Sequence, residues 1–322
     1  MFLSPRSAVK LFSGRANLPL SEEIAKVLNI KLGGIKISPF SDGEIYLKIL
    51  ESVRKDDIFI IQPTSPPVNE NLMELLIMID ALKRASAGSI TVLIPYFGYS
   101  RQDRKASGRE PITSKLIADL LKTAGADRIV CIDLHANQIM GFFDTLVDHL
   151  SAIPVLAEYI KKLDLKDLVV VSPDVGGVAR ARTFSKILGD APLAIIDKRR
   201  SPNQQNYVEV LNIIGEIENK TCVLVDDLID TAGTISKAAA LLKEKGAVEI
   251  YACASHGVLS GNGLKNIQES CLKELIITDT IILSEEKKIN KIKQLTIAPL
   301  LAEVIKRIHS GESVSSMFIQ GN

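Results

Sequence analysis

The densest chemistry in the chain lies between Cys222 and Thr234. An apolar run, Cys222-Val223-Leu224-Val225, passes into Asp226-Asp227-Leu228-Ile229-Asp230 and then into the small, hydroxylated turn Thr231-Ala232-Gly233-Thr234. A strand that ends in such a turn and opens a helix presents backbone N–H groups without helical acceptors, at the positive end of the helix dipole. That is an anion site. Asp226 and Asp227 would repel the anion unless they face neutral hydroxyls or a cation, so a phosphorylated sugar suits the whole string better than a free phosphate.

Three further segments carry charge to strand ends. Val171-Ser172-Pro173-Asp174-Val175-Gly176-Gly177 follows an apolar run; its glycines allow backbone conformations that turn successive N–H groups toward an anion, and Asp174 can hold Mg²⁺ against a diphosphate. In Ile132-Asp133-Leu134-His135 a carboxylate and an imidazole stand two residues apart. On a continuing strand they share a face, so Asp133 and His135 could reach one metal or one polyphosphate. Mg²⁺ prefers oxygen, so a histidine would act on it through water. Asp197-Lys198-Arg199-Arg200 precedes the polar, pattern-free run Ser201-Pro202-Asn203-Gln204-Gln205-Asn206. Adjacent cations before such a run suit a lid that brings charge onto a transferring phosphoryl group.

In the first half, Phe40-Ser41-Asp42-Gly43-Glu44 and Tyr99-Ser100-Arg101-Gln102-Asp103-Arg104-Lys105 are polar segments that flank strand-like runs. An aromatic ring beside acids can stack on a purine and accept from its amine, and an arginine can stack or contact phosphate. His149, His256 and His309 read as ordinary structural histidines.

The elements that must position these residues alternate. Short β-branched runs at 57–62, 90–95, 128–133, 168–173, 193–197 and 221–226 are each followed by turn residues and then a helical pattern, the signature of parallel βαβ units. Asn71 to Ala85 places Leu72, Leu75, Leu76, Ile79 and Leu82 at helical spacing, with Met73, Ile77 and Met78 widening the stripe into a largely buried helix. A second helix opens at Pro111-Ile112-Thr113 with Leu116, Ile117, Leu120 and Leu121 on one face, and a third runs from Ile235 to Lys245. A helix from about Ser151 to Lys161, with Pro154 in its first turn, opens a second α/β half after Leu150.

Composition excludes several classes. With 322 residues, 46% hydrophobic and 24% charged, the chain reads as a globular protein of about two domains. A formal net charge of +1 lacks the basic field of a nucleic-acid binder. Cys131, Cys222, Cys253 and Cys271 lie far apart in or beside apolar runs, as reduced thiols packed like small hydrophobes. The start, Met1 to Gly14, has no signal-peptide pattern, and the longest uncharged stretch, Ala85 to Ser100, is too short to span a membrane. A cytoplasmic protein is expected.

The string from Val225 to Thr234 resembles the 5-phosphoribosyl diphosphate motif of type I phosphoribosyltransferases and ribose-phosphate diphosphokinases. Taken with Phe40–Glu44, Asn71–Leu76, Arg101–Lys105, Asp133–His135, Ser172–Gly177, Asp197–Arg200 and Ser313-Val314-Ser315-Ser316-Met317-Phe318, the chain resembles class I ribose-phosphate diphosphokinases from about Phe12 to Phe318. The resemblance implies an α/β fold of two tandem phosphoribosyltransferase-like domains, each a mainly parallel sheet flanked by helices. The first would comprise residues 1–150 with 300–322 packing back, the second residues 151–299. It implies transfer of the β,γ-diphosphoryl group of Mg·ATP to the 1-hydroxyl of ribose 5-phosphate, yielding 5-phosphoribosyl diphosphate and AMP for nucleotide biosynthesis. By position in the motifs, Phe40, Asp42, Gly43, Glu44, Arg101 and Gln102 would hold ATP. His135, Asp174 and Asp133 would serve Mg²⁺. Arg200, Asp226, Asp230, Thr231, Ala232, Gly233 and Thr234 would hold ribose 5-phosphate, with Lys198 and Arg200 catalytic. The family pattern further implies a homo-oligomer, typically a hexamer, activated by inorganic phosphate and inhibited by ADP through Ser52, Arg54, Lys105, Arg109, Ser313, Ser315 and Ser316.

Ser201 to Asn206 is about two residues longer than the common bacterial pattern and carries no further arginine, which bears on lid geometry; Asn137 stands where proline or serine is usual, and Met1 to Val9 looks extended. Two other readings compete. A non-catalytic regulatory homologue would be expected to lack Lys198, Arg200, His135 or Asp174, and all four are present. A simple phosphoribosyltransferase would be expected to lack the tandem first half, and a regulator on that fold would be favoured by a basic DNA-binding extension, which is not seen.

Overall fold

The computed structural model describes residues 8–200 and 209–317, with the side chains of 198–200, 209–211 and 316 outside that description. The chain forms two compact units. The first runs up to Leu150 and regains the chain at Thr280–Ile282 and from Thr296 onward; the second comprises Ser151–Asp279 and Leu283–Leu295. The chain thus returns to the first unit twice, briefly at Thr280–Ile282 and again from Thr296.

In the first unit, β1 (Val9–Ser13), β4 (Asp57–Ile61), β5 (Ser89–Ile94), β6 (Arg128–Ile132) and β7 (Leu146–Leu150) form one sheet in that order, with every neighbouring pair parallel. Strands such as Asp57-Ile58-Phe59-Ile60-Ile61 are apolar on both faces because each face is covered. Phe12, Ile58, Ile60, Val92 and Ile129 meet Leu75 and Ile79 of α2 (Val68–Arg84) and Ile117 and Leu121 of α3 (Thr113–Ala124). A separate antiparallel hairpin, β2 (Ile35–Pro39) with β3 (Ile45–Ile49), lays Ile35, Ile37, Leu47 and Ile49 against the same core. The helix α8 (Ala298–Ser310) packs on α1 (Leu18–Leu28), and His309 Nδ1 lies 2.7 Å from Asp57 Oδ2.

The helical stripes are wider than the faces they bury. Met73 is 52% exposed and Leu116 55% exposed, and Leu120 is exposed too, although their neighbours Leu72, Ile117 and Leu121 are core residues. The helix at 71–85 is nonetheless largely buried, as expected: within that span only Met73, Lys83 and Arg84 are exposed. Its Leu75-Met78-Ile79-Leu82 stripe faces the sheet, and Met73 points outward.

In the second unit the sheet order is β10 (Glu209–Ile214), β9 (Leu193–Arg200), β8 (Leu168–Ser172), β11 (Thr221–Ile229), β12 (Glu249–Gly257), β13 (Glu274–Thr278) and β14 (Ile292–Leu295), parallel except for the β9–β10 hairpin. From β8 the chain passes one way to β9, while β11 lies on the other side of β8. Strand order therefore reverses between β8 and β11, where open α/β sheets form a crevice beyond the carboxyl ends of their strands. The helices are α4 (Ile153–Lys162), α5 (Val178–Ile187), α6 (Gly233–Glu244) and α7 (Gly263–Glu269). Cys222 and Cys253 are buried here and Cys131 in the first unit, but Cys271 is exposed, contrary to the expectation that all four thiols would be packed. Burial pushes the Cys222 thiol up to about 11 and raises Cys131 and Cys253 further. No helix among the described residues is long and apolar enough to cross a membrane.

Candidate active site

At the β8–β11 reversal, two loops leave the carboxyl ends of adjacent strands. The first follows Ser172, whose hydroxyl donates to the Asp174 carbonyl at 2.6 Å. Asp174 Oδ1 accepts from Gly177 N–H at 2.9 Å, so this N–H is turned onto the loop's own carboxylate rather than outward. Gly177 has an ordinary negative φ of −81°, and what requires glycine there is space: a Cβ would lie 2.9 Å from Ser172 Oγ. The expected reason for the glycine pair, freedom to turn N–H groups to an anion, is corrected at Gly177 to a close approach. Asp174 itself is half-buried at the strand end.

The second loop, after β11, is the turn expected from the sequence to form an anion cradle. Ala232 takes a left-handed conformation, φ 58° and ψ 8°, and α6 starts at Gly233 with no side chain capping it. The first helical bond here is Ser236 N–H to the Ala232 carbonyl, so the N–H groups of Gly233, Thr234 and Ile235 have no helical acceptor. Small residues at 232 and 233 keep the approach open, and Thr231 and Thr234 are exposed.

Between the loops stands Arg180, on the first turn of α5. Its Nη1 lies 3.1 Å from Asp226 Oδ1 and its Nη2 3.2 Å from Asp227 Oδ1. One guanidinium thus spans both acids. Asp226 also accepts from Asp227 N–H at 2.9 Å. Burial, followed by the neighbouring Asp227 carboxyl, pushes Asp226 up to about 7, with Arg180 opposing the shift. The acids therefore do face a cation, supplied by the chain. Nothing in the spacing of Arg180 marked it, because Asp226, the nearer of the two acids in sequence, is 46 positions away.

Lys198 and Arg200 lie on β9. Ser172, the last residue of β8, pairs with Ile195, so β9 runs on past the end of β8 before turning back as β10, where Arg200 pairs with Glu209. The side chains of Lys198 and Arg200, and the run Ser201 to Asn206, lie outside the described residues.

In the first unit, Phe40 to Glu44 forms the exposed tip of the β2–β3 hairpin. Phe40 N–H donates to the Glu44 carbonyl at 2.7 Å, Asp42 Oδ1 accepts from Glu44 N–H at 3.0 Å, and Gly43 takes φ +94°, a value that favours glycine. The Phe40 ring, 53% exposed, packs edge-on against Tyr46 at 5.6 Å. Arg101 and Gln102 follow β5, and Gln102 Oε1 accepts from the Thr113 hydroxyl at 2.5 Å. Asp133 and His135 follow the adjacent β6, and Gln138 Nε2 donates to Asp103 Oδ2 at 2.8 Å, tying the two loops together. Asp133 is held at φ +35°, with its N–H on the Leu150 carbonyl, while Leu134 N–H donates to His149 Nε2 at 2.8 Å. His149, read from the sequence as an ordinary structural histidine, thus supports the loop that presents Asp133 and His135.

Ser52, Arg54, Lys105, Arg109, Ser313 and Ser315 are all exposed in the first unit. Lys10 Nζ donates to the Ser52 carbonyl at 2.5 Å and Arg307 Nη1 to the Ser313 carbonyl at 3.1 Å. The Ser316 side chain lies outside the described residues. Asp133 and His135 belong to the first unit and Asp174 to the second; among the described residues, no three His, Cys, Asp or Glu side chains converge into an all-protein metal cage.

Two family models match the chain: the N-terminal domain of ribose phosphate pyrophosphokinase over residues 9–125, and the phosphoribosyl synthetase-associated domain over residues 195–319. The ribose-phosphate pyrophosphokinase of Bacillus caldolyticus is 57% identical over 310 residues, 96% of this chain and 98% of that protein. That of Corynebacterium ammoniagenes is 57% identical over 312 residues, covering 97% and 98%. The crystal structure of phosphoribosylpyrophosphate synthetase from Mycobacterium smegmatis matches with a TM-score of 0.89 at 45% identity, over 95% of this chain and 100% of that one. Identity of this order over nearly the whole of both chains, joined to a strand-end cradle with its own acid–arginine cluster, places this enzyme in the ribose-phosphate pyrophosphokinase family.

Proposed function

We propose that the enzyme transfers the β,γ-diphosphoryl group of Mg·ATP to the 1-hydroxyl of ribose 5-phosphate, releasing AMP and forming 5-phosphoribosyl diphosphate. The observation that carries this reading is the pairing of two loops at the strand-order reversal. The Asp230–Thr234 cradle offers N–H donors to the 5-phosphate, and Asp226, 23% exposed beside Arg180, offers an acceptor to the sugar hydroxyls. The new bond joins the sugar oxygen to the β-phosphorus, and the bond from that phosphorus to the α,β-bridging oxygen breaks. Negative charge grows on the bridging oxygen while the hydroxyl proton leaves to solvent. Catalysis of such a transfer is alignment plus charge stabilisation. Lys198 and Arg200, on the strand that overruns β8, supply cationic charge from the chain.

Mg²⁺ is taken up by one or two carboxylates together with substrate phosphates rather than by a dedicated cage. The half-buried Asp174 carboxylate fits that donor set, and Asp133 and His135 would hold the cation directly or through water. The bound cation would neutralise phosphate charge. Phe40 would stack on adenine, with Asp42, Gly43, Glu44, Arg101 and Gln102 around the nucleotide. The exposed Met73, Leu116 and Leu120 support a homo-oligomer, a hexamer by the family pattern. Ser52, Arg54, Lys105, Arg109 and the loop from Ser313 to Ser316 would take activating phosphate or inhibitory ADP; the exposed position of the described ones supports that reading.

The test mixes pure protein with Mg·ATP and ribose 5-phosphate and identifies the nucleotide product. AMP in equal amount to the sugar diphosphate is expected. ADP would show single-phosphoryl transfer and overturn the mechanism.

A further inference from the structure

The cradle loop is short, and its conformation is set from outside. The segment that follows β12 bonds to it residue by residue. Val258 and Leu259 N–H groups both donate to the Ile229 carbonyl, at 2.9 and 3.2 Å. The Ser260 hydroxyl donates to Asp230 Oδ1. Asn266, on α7, donates from Nδ2 to the Thr231 carbonyl at 2.8 Å, and its own carbonyl accepts from Ser236 Oγ on α6 at 3.1 Å. Lys287 Nζ in turn holds the Val258 carbonyl at 3.0 Å.

The Asn266 bond has a directional consequence. A trans peptide points its C=O and N–H in opposite directions. Holding the Thr231 carbonyl toward α7 therefore turns the Ala232 N–H the other way, away from α7. Ala232 sits in the left-handed region, at φ 58°, a conformation that costs a residue with a Cβ about 1 kcal/mol or more unless its surroundings impose it. The Asn266 amide is such an imposed contact. We infer that Asn266 is a positioning residue of the sugar-phosphate site: its amide fixes the Thr231–Ala232 peptide and so aims a backbone donor at the 5-phosphate. Asn266 need not touch the substrate. Ser260 acts in the same way on the Asp230 carboxylate.

The inference rests on the reading of residues 230–234 as the ribose 5-phosphate cradle, and the test separates the two. Steady-state kinetics are measured on the full-length enzyme and on Asn266→Ala, Asn266→Asp and Asn266→Gln, with KM taken separately for ribose 5-phosphate and for ATP. Loss of the donor in the Ala variant is expected to raise KM for ribose 5-phosphate about threefold to tenfold, the scale of one neutral hydrogen bond, and to leave KM for ATP within about twofold. The Asp variant keeps the shape but sets an acceptor against the Thr231 carbonyl, so its KM should rise at least as much; the Gln variant keeps an amide donor and should lie nearer wild type. Should the Ala variant fail to fold, the Asp and Gln variants carry the comparison. An Asp variant with wild-type KM, or equal rises in both KM values, overturns the inference. Failure of the underlying reading shows instead in the wild-type enzyme, as absence of AMP formation with ribose 5-phosphate.

Discussion

Arg180 offers the sharpest test of the electrostatics. It stands between Asp226 and Asp227 at 3.1 and 3.2 Å, with its side chain 19% exposed. At an effective dielectric of about 20 each contact has a gross Coulomb energy of about 5 kcal/mol, much of it offset by desolvation. Replacing Arg180 with Ala removes the guanidinium that spans the two acids, and the cost depends on pH. Asp226 is pushed up to about 7, above its unfolded value, so its contribution to stability is fully present at low pH and is lost as pH rises toward 7. Without Arg180 its pKa rises further, and the loss continues past 7. At about pH 6 the wild-type Asp226 is mostly protonated, and the variant forfeits chiefly the Asp227 contact, about 2 kcal/mol. Each pH unit above 7 adds about 1.4 kcal/mol, because the wild type ionises there and the variant does not. At about pH 8 the expected cost is thus about 3.5 kcal/mol, within the range for breaking a buried ion pair. Urea unfolding followed by far-ultraviolet circular dichroism at both pH values measures it. An equal cost at the two, or a larger one at pH 6, would refute the reasoning.

Lys198→Ala should lower kcat by at least about 10²-fold, the scale for losing one charge-stabilising donor, and a near-normal kcat would remove Lys198 from the catalytic role. His149→Leu removes the acceptor of the Leu134 N–H and should raise KM for Mg·ATP severalfold, whereas His149→Gln, which can place an oxygen there, should recover most of the affinity; identical values for the two would show that the bond is immaterial. Brief alkylation of the native enzyme should modify Cys271 alone, and mass spectrometry finding Cys131, Cys222 or Cys253 labelled at the same rate would contradict their burial. Leu116→Glu places a charge on an exposed apolar side chain of α3 and should reduce the sedimentation coefficient without lowering the unfolding midpoint; an unchanged assembly would move the interface elsewhere.

Local patterns carried much of the chain. The runs at 57–62, 90–95, 128–133, 168–173 and 221–226 correspond to β4, β5, β6, β8 and β11, because a strand covered on both faces needs an unbroken apolar run that can be read directly. The same holds for the turn after β11: small residues, a hydroxyl and the start of a helix are neighbours in sequence, and a backbone cradle is built from neighbours. The β2–β3 hairpin was harder to read, since Ile35-Lys36-Ile37-Ser38-Pro39 alternates over only a few residues and its partner is set by pairing, not by composition. The exposure of Met73 and Leu116 could not be read either, because an apolar residue on a helix looks the same whether it meets the sheet or faces outward.

What the sequence by itself supplied was the kind of chemistry to expect: a candidate anion cradle at residues 230–234, acids ahead of it, cations just past another apolar run, and a family pattern that orders them. Only the tertiary structure decided how those groups are held. Arg180 meets Asp226 and Asp227 because β11 inserts beside β8, and Asn266 reaches Thr231 because α7 packs against α6. Such contacts join residues dozens of positions apart through sheet order and helix packing. The side chains involved carry no mark of it, since a partner's identity is a property of the fold and not of the residues adjacent in the chain.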